Sequence, residues 1–120
     1  MVGATGPADG TTVLLVGDRP ARSPTVQRCG GEDPERLAEL LERIRIELRR
    51  RQRHPETWHR NLLIVFHDPR GLADRLPERT AALMALTLEE LRAGDPKATR
   101  ITTRIEENED NEGKEPQWRR

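Results

Sequence analysis

Two carboxylates and a histidine stand where this sequence could hold an ion or a phosphate. Asp18 follows the apolar run 13–16, and His67-Asp68 follows the apolar run 62–66. In open α/β sheets, ligands bind beyond the carboxyl ends of the strands. If the two runs are neighbouring strands, Asp18 and Asp68 could share a Mg²⁺, with Arg19, Arg22 or Arg70 reaching a phosphate. The plainer use of such residues is structural, because an Asp after a strand hydrogen-bonds its own backbone in a turn. A hard-cation site also needs further oxygen ligands, and the sequence does not place them.

Other chemistries find less to work with. His54, His59 and His67 suggest zinc, but His54 and His59 straddle Pro55 and no cysteine or acid completes a ligand pattern. His54 and His59 are expected to be solvated loop residues. Cys29 is the single cysteine, so no intramolecular disulfide forms. It lies between Arg28 and Gly30 without an evident base, which reads as an incidental thiol rather than a nucleophile. Gly3 and Gly6 echo the glycine turn of dinucleotide-binding folds. That turn must follow a strand and open a helix, whereas here a strand follows it. No catalytic residue and no cofactor is expected from these patterns.

The remaining charged feature is acidic. Glu32, Asp33, Glu35 and Glu39 gather where a helical pattern begins. Acids at a helix N-terminus are favoured by the helix dipole whatever the function. The functional reading is an acidic surface that steers a basic protein partner.

These residues must be positioned by the elements around them. Residues 62–66, Leu-Leu-Ile-Val-Phe, are apolar without alternation, as in a parallel strand covered on both faces. Residues 11–16 form a similar strand. A connection over 19–32 follows, with 25–27 as a short extended piece. Connections of this length are uncommon unless functional or mobile. Asp33 then caps a helix with Pro34 at its first position. Leu37, Leu40, Leu41, Ile44 and Leu48 form its buried stripe, and His54-Pro55 ends it. Residues 67–71 read as a turn. A second helix spans 77–92, with Leu83, Met84, Leu88 and Leu91 inward, and Gly94 stops it. Residues 98–106 alternate as an edge strand, Ile101, Thr103 and Ile105 on one side and Arg100, Thr102 and Arg104 on the other.

The order strand, helix, strand, helix, strand predicts an α/β fold. Its sheet is small, three-stranded and parallel, with right-handed helical crossovers. One domain over 11–106 is expected, with a flexible leader over 1–10 and a disordered charged tail over 107–120.

Composition narrows the function. Lys+Arg and Asp+Glu are both 21, so the net charge is zero. A general nucleic-acid or membrane-surface binder would need a basic excess. The aromatics are Trp58, Phe66 and Trp118, too few for a base-stacking platform. No run approaches the roughly 20 apolar residues of a membrane span. Without a signal-peptide pattern, a cytoplasmic protein is the expectation.

The segment 62–105 resembles the C-terminal half of the barstar family, inhibitors of barnase-type ribonucleases. The resemblance is carried by Leu-Ile-Val-Phe-His-Asp-Pro-Arg-Gly-Leu-Ala-Asp-Arg-Leu-Pro-Glu, residues 63–78, and by the helix and strand that follow. Further back, residues 31–37, Gly-Glu-Asp-Pro-Glu-Arg-Leu, are similar to the family segment that opens its inhibitory helix. A rival placement sets residues 55–61 on the approach to that segment. The resemblance implies a small parallel sheet with helical crossovers, no enzymatic activity and a ribonuclease of the secreted type as partner. It implies that Glu35, Glu39 and Glu90 stand where the family has partner-binding acids. The alternative class is a small nucleotide- or Mg-binding enzyme using Asp18 and Asp68.

Overall fold

The structure, a computed structural model, describes residues 11–107 apart from Arg22, Pro24 and Trp58. The expected leader over 1–10 and, apart from Glu107, the expected tail over 107–120 lie outside the described residues. In chain order the elements are β1 (Thr12–Val16), β2 (Gln27–Cys29), α1 (Pro34–Arg53), β3 (Leu62–His67), α2 (Pro69–Arg75), α3 (Glu78–Ala93), α4 (Pro96–Thr99) and β4 (Ile101–Glu106). The sheet is parallel throughout, in the order β2-β1-β3-β4.

The α/β class and the parallel sheet stand as the sequence predicts, but the sheet has four strands rather than three. The extra strand is the short extended piece, displaced to Gln27–Cys29 and paired with Leu14, Leu15 and Val16. It divides the long 19–32 connection into a crossover without helix among its described residues and a short turn. Residues 67–71 are not only a turn, since α2 begins at Pro69 with Asp68 as its N-cap. The last strand begins at Ile101 rather than 98, because Asp95 caps the short α4 in front of it.

Direction of travel decides which face each connection covers. β2 to β3 and β3 to β4 both move the same way across the sheet, so right-handed crossovers put α1 and α3 on one face. Their side chains meet there: Arg45 of α1 bonds Glu90 of α3 at 3.0 Å. β1 to β2 moves the opposite way, which sends the 17–26 crossover over the other face. Arg19 in that crossover accordingly bonds Glu106 at the end of β4.

The core lies under α1 and α3. Leu14, Val16, Leu62, Ile64, Phe66 and Ile101 share one sheet face by register and pack against Leu37, Leu40, Leu41, Ile44, Leu48, Leu72 and Met84. On the opposite face Leu15 is 1% exposed and Val65 4%. Leu62–His67 is therefore an interior strand covered on both sides, which is why its apolar run does not alternate. All five residues of the expected α1 stripe are buried.

Candidate functional site

The carboxyl edge of the sheet gathers most of the residues singled out above. β1 and β3 are neighbours, and the connections leaving them run in opposite directions. This is the switch point at which open α/β sheets form a ligand crevice. Asp18 follows β1, His67 ends β3 and Asp68 follows it, while Glu106 ends β4.

These groups are held by the protein itself. Asp18 accepts from the backbone N–H of Gly31 at 2.9 Å, and its other oxygen is bound by Arg75. The Gly31 hydrogen bond, helped by Arg75 and Arg28 against the opposing effect of burial, holds the Asp18 carboxyl below the usual range. Asp68 adopts φ 49, in the left-handed region that Asp tolerates, and its side chain accepts from Gly71 N–H at 3.3 Å as the cap of α2. Glu106 accepts from Arg19 Nε at 2.9 Å and from His67 Nδ1 at 3.1 Å. Burial pushes the Glu106 carboxyl up, but His67 and Arg19 outweigh it and the net direction is down. Arg28 donates to the Gly17 carbonyl at 3.0 Å and to Glu32 at 2.8 Å. Gly17 allows this close packing: at φ 147 it is in a conformation side chains rarely adopt, and a Cβ there would lie 2.9 Å from His67 Cβ.

The edge is thus a network of matched arginines and carboxylates rather than an open cradle. Among the described residues no three His, Cys, Asp or Glu side chains gather closely enough to hold a metal ion. Of the zinc candidates, His59 departs from expectation. It is 4% exposed, with Nε2 2.9 Å from the His54 carbonyl, and fastens the loop between α1 and β3. Cys29 faces the core, where burial pushes its thiol pKa up and disfavours the thiolate.

The acidic end of α1 lies on the same rim, because α1 starts where β2 ends. Its charge is divided along its length. Glu35, Glu39 and Glu42, preceded by Glu32 and Asp33, outnumber Arg36 and Arg43 in the first half; Arg45, Arg49, Arg50, Arg51 and Arg53 outnumber Glu47 in the second. The dipole acts only on the first and last turns, so it accounts for Glu35 but not for Glu39 or Glu42. Glu35 and Glu39 are exposed, and neither forms an ion pair among the described residues. Glu39 borders a groove of about 530 Å3 between α1 and α3, lined by Ala38, Glu42, Arg43, Arg79, Thr80 and Leu83.

Glu90 does not join them. Its oxygens accept from Arg45 Nε at 3.0 Å and Nη2 at 3.1 Å, and from Arg49 at 3.4 Å. Arg45 is six residues beyond Glu39 on α1, roughly 9 Å along the helix axis. The Arg45 hydrogen bonds hold the Glu90 carboxyl below its usual range, and Glu90 ties α3 to α1.

These ion pairs make a pH prediction. Asp18, Glu47, Glu90 and Glu106 all bind their protons more weakly in the fold than at the ordinary values of 3.8 for Asp and 4.5 for Glu. As pH falls, the unfolded chain takes up protons first, so acid favours unfolding. Their contribution is complete above pH 4.5 and is lost as pH falls through the lowered values. Thermal melts are expected to be flat from neutrality to about pH 5 and to decline below it. A Tm unchanged down to about pH 3 would show that these pairs do not stabilise the fold.

No helix among the described residues is long and apolar enough to cross a membrane. No family model, no curated protein and no solved structure matches the chain.

Proposed function

We propose that this chain is a non-enzymatic protein-binding module that engages a basic partner through the acidic end of α1, and that a barnase-type ribonuclease is such a partner. One arrangement supports the reading. Asp18, Glu32, Glu47, Glu90 and Glu106 are each bound by arginine, whereas Glu35 and Glu39, like Glu56, Asp74, Glu78 and Glu89 elsewhere, are exposed without an ion pair among the described residues. Glu35 and Glu39 stand one turn apart on α1, and Glu39 borders the groove. They are mounted on a helix fixed by Leu37, Leu40 and Leu41, so presenting them costs little ordering entropy. The groove beside Glu39 offers an apolar hollow for a partner side chain. The binding face rests on Glu35 and Glu39, with Glu90 holding α1 and α3 in place behind them.

The alternative, a nucleotide or Mg²⁺ site on Asp18 and Asp68, draws less support. Asp18 is already taken by Gly31 and Arg75, and Asp68 by the start of α2. The test is inhibition. The full chain is titrated against a barnase-type ribonuclease while RNA cleavage is followed. Stoichiometric loss of cleavage is expected; an enzyme unaffected by excess chain removes that partner.

A further inference from the structure

Among the described residues β4 is one edge of the sheet. Its inward hydrogen bonds come from even-numbered residues: the carbonyls of Arg100 and Glu106 accept from Leu62 and Asp68 N–H at 2.9 and 2.7 Å. Backbone groups alternate in direction along a strand, so the N–H and C=O of Ile101, Thr103 and Ile105 point away from β3. Such a row is a template for another strand. Beside it, α3 turns Ala81, Ala85 and Leu88 away from α1. With Met84 and Ile105, Ala73 and Arg70 of α2, and Arg92, they line a hollow of about 380 Å3. A helix flank of alanines lets another helix approach closely.

We infer that this edge docks a second copy of the chain, β4 against β4 in antiparallel orientation, giving a two-fold dimer with one continuous sheet. The strand itself selects the register. Centred on Thr103, Ile101 pairs with Ile105 of the second copy and Thr103 with its own equivalent. Thr103 N–H and C=O, Ile105 N–H and Ile101 C=O are then used, in about four inter-chain hydrogen bonds, while the Ile101 N–H stays with Thr99 Oγ1 at 3.3 Å. Thr102 faces Arg104 of the second copy. Centring on Arg104 instead sets two guanidinium groups directly opposite each other, which is repulsive. Centring on Ile105 leaves most of the strand unpaired. Joining the edges also brings the two α3 flanks together over the sheet, closing the hollow beside each. The acidic end of α1 lies on the far side of α3 and stays free, so dimerisation and partner binding are separable.

The experiment measures mass by sedimentation equilibrium over a concentration series, for the wild type and for Thr103→Pro. The Thr103 N–H points outward, so proline there removes an inter-chain donor and leaves the β3–β4 ladder intact. The wild type is expected to dimerise and Thr103→Pro to be monomeric, with unchanged far-UV circular dichroism. A second pair of variants reads the register. Thr103→Cys lies on the two-fold axis, with Cα atoms about 5.5 Å apart, and forms an inter-chain disulfide on mild oxidation. Thr102→Cys faces Arg104 and does not. A wild type that is monomeric at every concentration overturns the inference, as does a dimer that survives Thr103→Pro. Equal cross-linking at 102 and 103 overturns the register. If the proline variant loses its fold, the cysteine pair decides.

Discussion

Replacing Arg51 with alanine is expected to lower stability by roughly 2–5 kcal/mol, a large part of what a domain of this size possesses. Arg51 is 6% exposed near the end of α1. Its Nη1 donates to the carbonyls of Arg60 at 2.8 Å and Thr99 at 2.9 Å, and its Nε to Glu47 at 2.7 Å. One guanidinium thus joins α1 to the loop before β3 and to α4 before β4, at the amino end of the sheet. Without it, two carbonyls in a largely dry site lose their donor, at about 1–3 kcal/mol each. Tm is expected to fall by roughly 10 °C or more. Arg50 is the control. It bonds the same Glu47 at 2.6 Å but is exposed, and Arg50→Ala is expected to leave Tm almost unchanged. Arg51→Lys should fall between, because one ammonium cannot reproduce a planar fork reaching both carbonyls. Thermal melts of the three variants check this, and equal Tm values for Arg50→Ala and Arg51→Ala would refute it.

Arg51 also marks the limit of what the sequence discloses. Read along the chain, Arg49, Arg50 and Arg51 are equivalent charges at a helix C-terminus. Only the tertiary fold brings the carbonyls of Arg60 and Thr99 to one of them. His59 is the same case: a histidine after a proline reads as solvated, and its burial depends on the His54 carbonyl five residues back. Elements governed by local pattern were legible. The α1 stripe, its Asp33-Pro34 start and the unbroken apolar run of β3 follow from periodicity and capping alone. The signature that opens α1 recurs at Asp68-Pro69 and Asp95-Pro96, and each opens a helix. Its repetition was the available signal for α2 and α4. The strand β2 had no such signal, because three residues are too few for a period and its pairing with β1 is non-local. At the carboxyl edge, the positions of Asp18 and Asp68 after neighbouring strands followed from strand order. Their bonding to Gly31, Arg75 and Gly71 did not, since it depends on how α1 and α2 enter.

Changing Glu35 and Glu39 together to glutamine is expected to abolish most of the affinity for a basic partner and leave the fold intact. Neither carboxylate is bonded within the described part of the chain, and exposed charges of this kind contribute at most about 1 kcal/mol to stability. In a complex the balance reverses. A ribonuclease active site is cationic because it receives phosphates, and carboxylates on a rigid helix can occupy it in their place. Removing one side of a buried interfacial charge pair costs about 2–5 kcal/mol, because the partner's cation stays desolvated and unpaired. That raises Kd by roughly 30-fold to several thousand-fold. The association rate should also lose much of its salt dependence, since steering by opposite charge is screened by salt. Glu90→Gln sets the contrast. It loosens the tie to Arg45 and Arg49, so its effect should appear in Tm before it appears in binding. Titration of wild type, Glu35→Gln/Glu39→Gln and Glu90→Gln against the ribonuclease distinguishes the cases. Equal inhibition by wild type and the double variant would keep the partner and move the binding face away from the start of α1. Loss of inhibition with an unchanged Tm in the double variant would fix it there.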